Sequence, residues 1–254
     1  MWFITKGFNY LLKELFAPFY YVGKERADGV ATVRFGNVVF KARHNSLDAF
    51  VLYEIWRYQT YREAEIRRGD VVVDIGANIG GYAVLAAKSG AMVIAYEPVP
   101  ETYQLLSNNL IINNCRNVKI YNAAVGSEIG DVTMNVNQQA AGLDSIYQTF
   151  SSTKKIKVPS IDLHEIFVRN KLKKIDVLKI DVEGAEYDIL LNARPSDMRK
   201  IRTITMEYHD FLDHGHNKKE LISFLRSNGF DVQMRSHWAV AKLLKEGKIL
   251  AVRI

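Results

Sequence analysis

Hydrophobic and polar positions follow a repeating order from residue 69 onward. Short β-branched runs alternate with longer segments whose apolar residues recur at helical spacing. The short runs predict strands near residues 71–75, 92–96, 118–122, 131–136, 175–180, 202–207, 230–235, 238–243 and 249–253. The longer segments predict helices near residues 80–88, 100–113, 161–170, 184–191 and 217–228. This alternation is typical of an α/β fold with a mostly parallel sheet and helices on both faces. The last two strands are expected to form an antiparallel hairpin.

The first 68 residues have a different pattern. Residues 1–25 place aromatic and aliphatic side chains on one helical face, and residues 30–42 alternate in polarity as a β-hairpin does. Residues 46–66 follow helical register, with Ser46 as the expected N-cap. We therefore predict an N-terminal helix, a β-hairpin and a cap helix over residues 1–68, followed by a ligand-binding domain over residues 69–254.

The segment 1–25 has two interpretations. It is too short, and too interrupted by Lys13-Glu14, for a transmembrane span, and it has no convincing signal-peptide cleavage site. The favoured interpretation is a helix packed on the domain. The alternative is an amphipathic helix that brings the protein to a membrane surface. Residues 137–157, rich in small and polar residues, are expected to form a mobile loop beside the active site.

A glycine-rich turn follows the first strand of the domain. The strand Val71–Ile75 leads into Gly76-Ala77-Asn78-Ile79-Gly80, as in the first ligand-binding loop of an open α/β sheet. Asn78 stands where a dinucleotide motif requires its middle glycine, so a pyrophosphate would be crowded. The next strand ends in Glu97, which can accept hydrogen bonds from both ribose hydroxyls. This combination favours an adenosine cofactor without a pyrophosphate, such as S-adenosylmethionine, whose amino-acid end Asp74 and the loop amides could meet.

The third strand ends in Asn122-Ala123-Ala124, where an adenine ring would lie. Asn122 is expected either to hydrogen-bond the adenine or to cap the turn. Pro98, directly after Glu97, belongs to the same predicted cofactor pocket.

An acidic motif follows the strand near residues 175–180. Four acids occur between Asp176 and Glu186, which is costly unless they face solvent or a ligand. The strand delivers Asp181 and Glu183 to its carboxyl end, where open α/β sheets bind their ligands.

These motifs together resemble the FkbM family of S-adenosylmethionine-dependent methyltransferases, over about residues 70–210. The matching segments are Asp74 to Gly81, Glu97-Pro98, Asn122 to Val125, Val158-Pro159 to Asp162-Leu163, and Lys179 to Glu186. The resemblance implies a class I methyltransferase (Rossmann-like) fold, with a mostly parallel seven-stranded sheet and an antiparallel last strand. It also implies O-methylation of hydroxyls on sugars and polyketide-type natural products.

Methyl transfer to an alcohol requires a group that accepts the hydroxyl proton. Asp181 is the first candidate for this base. In the family, an acid and a nearby histidine at the end of the next strand look like active-site groups, which points to Glu207 and His209. The three residues could remove a proton or ligate a divalent metal.

Three neighbours of the acidic motif are given supporting roles. Glu183 is expected to brace the turn at Gly184, and Glu186 to cap the next helix or face solvent. Lys179 is expected to pair with an acid.

Composition restricts the partners. The chain has 254 residues and one cysteine, Cys115, so no intrachain disulfide can form. A cytoplasmic location is therefore expected, either free in the cytoplasm or peripheral to the inner face of the membrane. The net charge of +6 permits an anionic partner without requiring one.

Nucleic acid is nevertheless a poor candidate for the acceptor. Base-amino methyltransferases usually carry an Asn/Asp-Pro-Pro-aromatic motif where this chain has Asp181-Val182-Glu183-Gly184, whose acids would repel phosphate. We therefore expect a small-molecule, glycan or glycolipid acceptor. Nucleic-acid methylation and non-catalytic binding of an adenosyl compound or dinucleotide remain the alternatives.

Overall fold

The structure, a computed structural model, describes residues 29–44, 46–137, 153–210, 215–235 and 246–254. The predicted helix over residues 1–25 and the predicted strand over residues 238–243 lie outside these ranges. The strands are β1 (Val30–Phe35), β2 (Val38–Arg43), β3 (Val71–Ile75), β4 (Met92–Tyr96), β5 (Val118–Tyr121), β6 (Ala124–Val125), β7 (Gly130–Asn137), β8 (Thr153–Ile161), β9 (Ile175–Ile180), β10 (Ile201–His209), β11 (Phe230–Met234) and β12 (Glu246–Arg253). The helices are α1 (Asp48–Trp56), α2 (Gly81–Lys88), α3 (Pro100–Ile112), α4 (Leu163–Arg169), α5 (Glu186–Leu191), α6 (Pro195–Met198) and α7 (Lys218–Ser227). None of the helices within the described ranges is long and apolar enough to cross a bilayer.

The main sheet has, among the described residues, seven strands in the order β11-β12-β10-β9-β3-β4-β5. Strands β10, β9, β3, β4 and β5 are parallel, whereas β12 runs antiparallel to β10 and β11. The central strand β9 is buried along its whole length, as expected for a parallel strand covered on both faces. The predicted fold class, with its antiparallel last strand, is confirmed.

The pairing of β3 with β9 fixes the place of the ligand site. From β3 the chain builds outward through β4 and β5, and it later returns to the other side of β3 as β9. This reversal of strand order is a topological switch point, and a ligand crevice opens there at the carboxyl ends of the strands. Ile75 lies opposite Ile180 in the ladder, so the glycine turn and the acidic motif emerge side by side.

A second sheet joins β6, β8 and β7 within the described part of the chain. The strand predicted over residues 131–136 therefore exists, but in this smaller sheet. The loop predicted over residues 137–157 is wrong at both ends, because Asn137 and residues 153–157 are strand; residues 138–152 lie outside the described ranges. Lys154, Lys155 and Lys157 of β8 are exposed while Val158 is buried, so a composition typical of a loop belongs here to a partly exposed strand.

The cap helix is shorter than predicted. It begins at Asp48 rather than at residue 46, and Ser46 is not its N-cap; the Ser46 hydroxyl accepts a bond from the Asp48 amide and donates one to Arg43 O. The helix ends at Trp56, after which both the amide and the hydroxyl of Thr60 donate to Glu54 O. This turn, with Gln59 at φ +56°, directs Tyr61 into the interior.

Two asparagines of α3 attach the β1–β2 hairpin to the main domain. Asn109 accepts from Lys41 N (2.7 Å) and donates to Lys41 O (3.0 Å) and Ile79 O (2.8 Å). Asn113 makes the corresponding pair of bonds with Val39 N and O, at 3.0 and 2.7 Å. These bonds join the hairpin to the domain that follows it and mark no division between residues 68 and 69. The domain boundary there stays a prediction.

Candidate active site

A cavity of about 910 Å³ opens at the carboxyl ends of β3, β4, β9 and β10, beneath α1 and beside the second sheet. Most of the residues predicted for the site line it: Gly76, Ala77, Asn78, Glu97, Pro98, Ala123, Ala124, Asp181, Glu207 and His209. Within the described part of the chain, Asp74, Gly80 and Asn122 are not among the lining residues. These three predicted cofactor residues lie behind the cavity wall.

The glycine turn is held by close backbone contacts. Gly76 has φ +76°, and a Cβ added there would lie 1.9 Å from Asp181 O. The amides of Gly76 and Ala77 both donate to Tyr96 O at 3.0 Å. Asn78 is also left-handed, at φ +50°, a conformation that asparagine tolerates better than most residues. Its side-chain Oδ1 is buried at the cavity and has no hydrogen-bond partner among the described residues.

Glu97 is oriented by two backbone donors. Its Oε2 accepts from Asn78 N and its Oε1 from Val99 N, both at 2.9 Å. Glu97 lines the cavity, and a carboxylate can accept several hydrogen bonds, so a ligand there can donate to it. Asn122 supports this arrangement from behind by donating to Glu97 O (2.9 Å) and Pro98 O (2.8 Å). Asn122 therefore braces the turn, the second of its two predicted roles.

A buried lysine connects the glycine turn with the acidic motif. Lys179 Nζ donates to Gly76 O at 2.8 Å and lies 3.2 Å from Asp74 Oδ1 and 3.5 Å from Asp181 Oδ2. Burial opposes its charge, but Asp74 and Asp181 outweigh burial and raise the Lys179 pKa. Burial also raises the Asp74 pKa, against the influence of Lys179. The predicted pairing of Lys179 with an acid is confirmed, and it is Lys179, with Asp74 beside it in the core, that bonds the turn.

Tyr61 bridges the two carboxylates at the far end of the cavity. Its hydroxyl lies 2.9 Å from Glu207 Oε1 and 3.2 Å from Asp181 Oδ2. Lys248 Nζ lies 3.0 Å from the same Glu207 oxygen. Burial would raise the Asp181 pKa, but Lys179, together with His209 and Lys248, lowers it below its usual value. Asp181 is consequently ionised and weakly basic.

His209 ends β10 within the same group. Glu186 Oε1 accepts from His209 N (2.7 Å) and lies 3.0 Å from Nδ1, and Glu186 Oε2 accepts from Gly184 N (2.8 Å). His209 Nε2 is 3.6 Å from Glu183 Oε2. Burial raises the Glu183 pKa to about 8. Burial opposes protonation of His209, but Glu183 and Glu186 outweigh it and raise the His209 pKa well above 6.5.

Two predictions about the acidic motif are therefore wrong. Glu186 neither caps a helix nor faces solvent, because β10 continues two residues beyond its predicted end and buries Glu186 under His209. Glu183 does not brace the turn at Gly184, since Glu186 bonds that amide while Glu183 lines the cavity.

The three predicted catalytic residues do converge. One donor atom each from Asp181, Glu207 and His209 lies within 4.8 Å of the others. Carboxylate and imidazole donors at this spacing can bind a hydroxyl or a divalent cation. Lys179 and Lys248 already neutralise part of the carboxylate charge, at 3.5 and 3.0 Å from Asp181 and Glu207. Chemically, the arrangement is suited to binding a hydroxyl and accepting its proton.

Tyr61 and Lys248 are site residues that the sequence did not reveal. Tyr61 lies beyond the true end of the cap helix and belongs to no motif. Lys248 falls in the predicted final turn, although the structure places it in β12. Only the approach of these distant segments to β9 and β10 brings the two side chains into the site.

Residues 74–232, more than half of the chain, match the family model described as the methyltransferase FkbM domain. The chain belongs to the FkbM family. It is accordingly an S-adenosylmethionine-dependent methyltransferase, and the resemblance noted in its sequence is confirmed.

Individual relatives agree with this membership. The FkbM-family chain is 28% identical over 240 residues to the 31-O-demethyl-FK506 methyltransferase FkbM of Streptomyces tacrolimicus, covering 81% of this chain and 91% of that protein. It is 26% identical over 169 residues to the hexuronic acid methyltransferase AglP of Haloferax volcanii, covering 63% and 68%. The crystal structure of a protein proposed to be an rRNA methylase from Clostridium thermocellum superposes with a TM-score of 0.51 at 13% identity, covering 78% of this chain and 94% of that one. That likeness concerns the fold alone.

Proposed function

We propose that this FkbM-family enzyme methylates a hydroxyl group of a sugar, glycan, glycolipid or other small natural product. One observation carries the proposal: His209 Nε2 lies 3.6 Å from Glu183 Oε2 in a cavity that Asp181 and Glu207 also line. An alcohol must lose its proton as the new C–O bond forms, so groups that accept or share a proton are needed at the acceptor. The names of two relatives, the 31-O-demethyl-FK506 methyltransferase and the hexuronic acid methyltransferase, support a hydroxylated acceptor.

The cofactor fits the other end of the cavity. Glu97 would accept the ribose hydroxyls, because two backbone amides orient its carboxylate and the residue lines the cavity. Asn78 Oδ1, buried without a hydrogen-bond partner among the described residues, would accept from the ammonium of the amino-acid end. Ala123 and Ala124, with Pro98, form an apolar wall for the adenine. S-adenosylmethionine supplies an electrophilic methyl group on its sulfonium, and the chain positions the acceptor opposite it.

The acceptor hydroxyl binds among His209, Asp181 and Glu207. Alignment of oxygen and methyl group lowers much of the barrier to an in-line displacement. Asp181, with its lowered pKa, orients the hydroxyl as a hydrogen-bond acceptor and is a poor proton acceptor. His209 takes the proton once its imidazole is neutral. The positive charge of the bound cofactor opposes protonation of His209 and so favours this neutral form.

The proposal is tested by transfer of a labelled methyl group to a set of acceptors. Full-length protein is incubated with S-adenosylmethionine and, separately, with uronic-acid glycosides, lipid-linked sugars, hydroxylated macrolides, primary amines and tRNA. We expect label in a methyl ether that survives mild alkali. Label in an amine, in RNA or in an alkali-labile ester would contradict the proposal.

Cofactor binding is tested separately by thermal unfolding. At a ligand concentration about 100 times Kd, S-adenosylhomocysteine should add about 2.7 kcal/mol of stability, whereas NAD should add none. Stabilisation by NAD instead would favour dinucleotide binding. If a chelator abolished activity and Mg²⁺ or Mn²⁺ restored it, a metal bound at Asp181, Glu207 and His209 would take the place of the proposed proton acceptance by His209.

A further inference from the structure

His209 is held at two points by one oxygen atom. Glu186 Oε1 accepts from the His209 backbone amide at 2.7 Å and lies 3.0 Å from ring nitrogen Nδ1. Glu186 is completely buried in the first turn of α5, and its second oxygen accepts from Gly184 N at 2.8 Å. The same carboxylate thus joins the turn after β9 to the end of β10.

This contact determines which ring nitrogen carries the proton. An ionised carboxylate is an acceptor only, so the nitrogen facing it must be the donor. Glu186 is within hydrogen-bond distance of Nδ1, whereas Glu183 Oε2 is 3.6 Å from Nε2, so in neutral His209 the single ring proton resides on Nδ1 and Nε2 is the unprotonated nitrogen. Nε2 is the nitrogen nearer Glu183, and His209 and Glu183 both line the cavity.

We propose that Glu186 is the positioning residue of the methyltransferase site: it fixes His209 in the Nδ1-protonated tautomer and aims Nε2 at the acceptor hydroxyl. The inference rests on the proposed function and deepens it. Glu186 is fully buried and is not among the described residues that line the cavity, so it acts through His209. In the transfer step the acceptor oxygen forms the C–O bond, the sulfonium–methyl bond breaks with its electron pair passing to sulfur, and the hydroxyl proton moves to Nε2. The imidazolium so formed is stabilised by the Glu186 carboxylate on its other side.

The variant Glu186→Gln tests this role because the carboxamide cannot replace the carboxylate. Three N–H groups point at the two Glu186 oxygens: those of Gly184, the His209 backbone and Nδ1. A glutamine has one acceptor oxygen, so its NH₂ group must face either Gly184 or His209. If the NH₂ group faces His209, it donates to Nδ1 and so favours the tautomer with the proton on Nε2. Asp188→Asn, in the same helix with the same loss of charge, is the matched control.

We expect Glu186→Gln to lower kcat by about 100-fold or more, by analogy with the wrong-tautomer effect in other histidine-dependent enzymes. The acceptor KM and the S-adenosylhomocysteine affinity should stay within about threefold, whereas Asp188→Asn should leave all three unchanged. Glu186→Asp, which keeps the acceptor oxygens, should recover part of the lost kcat. An unchanged kcat in Glu186→Gln would overturn the proposal.

The tautomer is also measurable without any acceptor, by ¹⁵N NMR of histidine-labelled wild-type protein at alkaline pH. We expect the His209 proton on Nδ1. A proton on Nε2 would overturn the inference even if hydroxyl methylation is found. A proton on Nδ1 together with no hydroxyl methylation would leave the positioning contact intact and reject the proposed function. This measurement decides the matter if Glu186→Gln does not fold.

Discussion

The α-carbon of Gly76 approaches the backbone carbonyl of Asp181 so closely that a Cβ would lie 1.9 Å from that oxygen. The contact joins the turn after β3 to the end of β9, the two segments that face the cavity. Since Gly76 also has φ +76°, both the backbone conformation and the contact require glycine.

Gly76→Ala should therefore destabilise the protein and displace Asp181. The left-handed backbone alone costs about 1–2 kcal/mol for a residue with a Cβ, and the contact adds to this. Denaturant unfolding should show a loss above about 2 kcal/mol. Gly36→Ala is the control, because Gly36 has φ +60° but no atom within 4 Å of the added Cβ. Equal losses in the two variants would mean that the contact with Asp181 does not matter.

Glu97→Ala should weaken cofactor binding. Hydrogen bonds to a charged group contribute about 1.5–3 kcal/mol, so S-adenosylhomocysteine affinity should fall about 10- to 100-fold. Titration calorimetry measures this directly. Glu101→Ala, at an exposed position in the first turn of α3, should bind normally. Unchanged affinity in Glu97→Ala would remove Glu97 from the cofactor site.

Glu183→Gln should shift the pH dependence of methyl transfer to lower pH. His209 accepts a proton only when neutral, so the rate should rise as pH passes through its raised pKa. The Glu183 carboxylate is the main cause that raises this pKa, and its removal lowers the pKa and moves the rising limb of the profile with it. The control Glu128→Gln removes one exposed charge and should leave the profile in place. A shift toward higher pH would contradict the role of His209 as proton acceptor.

Asn109→Ala should loosen the attachment of the β1–β2 hairpin. The change removes three hydrogen bonds and leaves Lys41 N, Lys41 O and Ile79 O without their partner. We expect a loss of about 3 kcal/mol in the free energy of unfolding. Asn108→Ala, one residue away on the exposed side of α3, should cost less than about 0.5 kcal/mol.

The central strands of the main sheet could be predicted from the sequence because they are largely buried on both faces. The apolar runs that predicted β3, β4, β9 and β10 match the strands observed to within two residues. β8 was missed because Lys154, Lys155 and Lys157 are exposed in it, which leaves a weak apolar pattern. The cap helix was predicted too long because the helical spacing of apolar residues continues past Trp56. In the structure the helix ends there, and Thr60 donates to Glu54 O.

The candidate site could be predicted only where it lies within motifs. Asp181, Glu207 and His209 were found because they end neighbouring strands, and strand ends meet at one edge of a sheet. Tyr61 and Lys248 come from the cap segment and the last strand, and their approach depends on tertiary packing. The burial of Glu186 could not be read from its neighbours, since its partner His209 is 23 residues away in the chain.

The paired bonds of Asn109 and Asn113 with β2 have a consequence beyond stability. A two-stranded hairpin leaves the outer edge of each strand free to pair with a strand of another molecule. On β2, the two carboxamides occupy the N–H and C=O groups of Val39 and Lys41 in the way that a neighbouring strand would. Two side chains from a helix thus close this edge against edge-to-edge association, without a third strand.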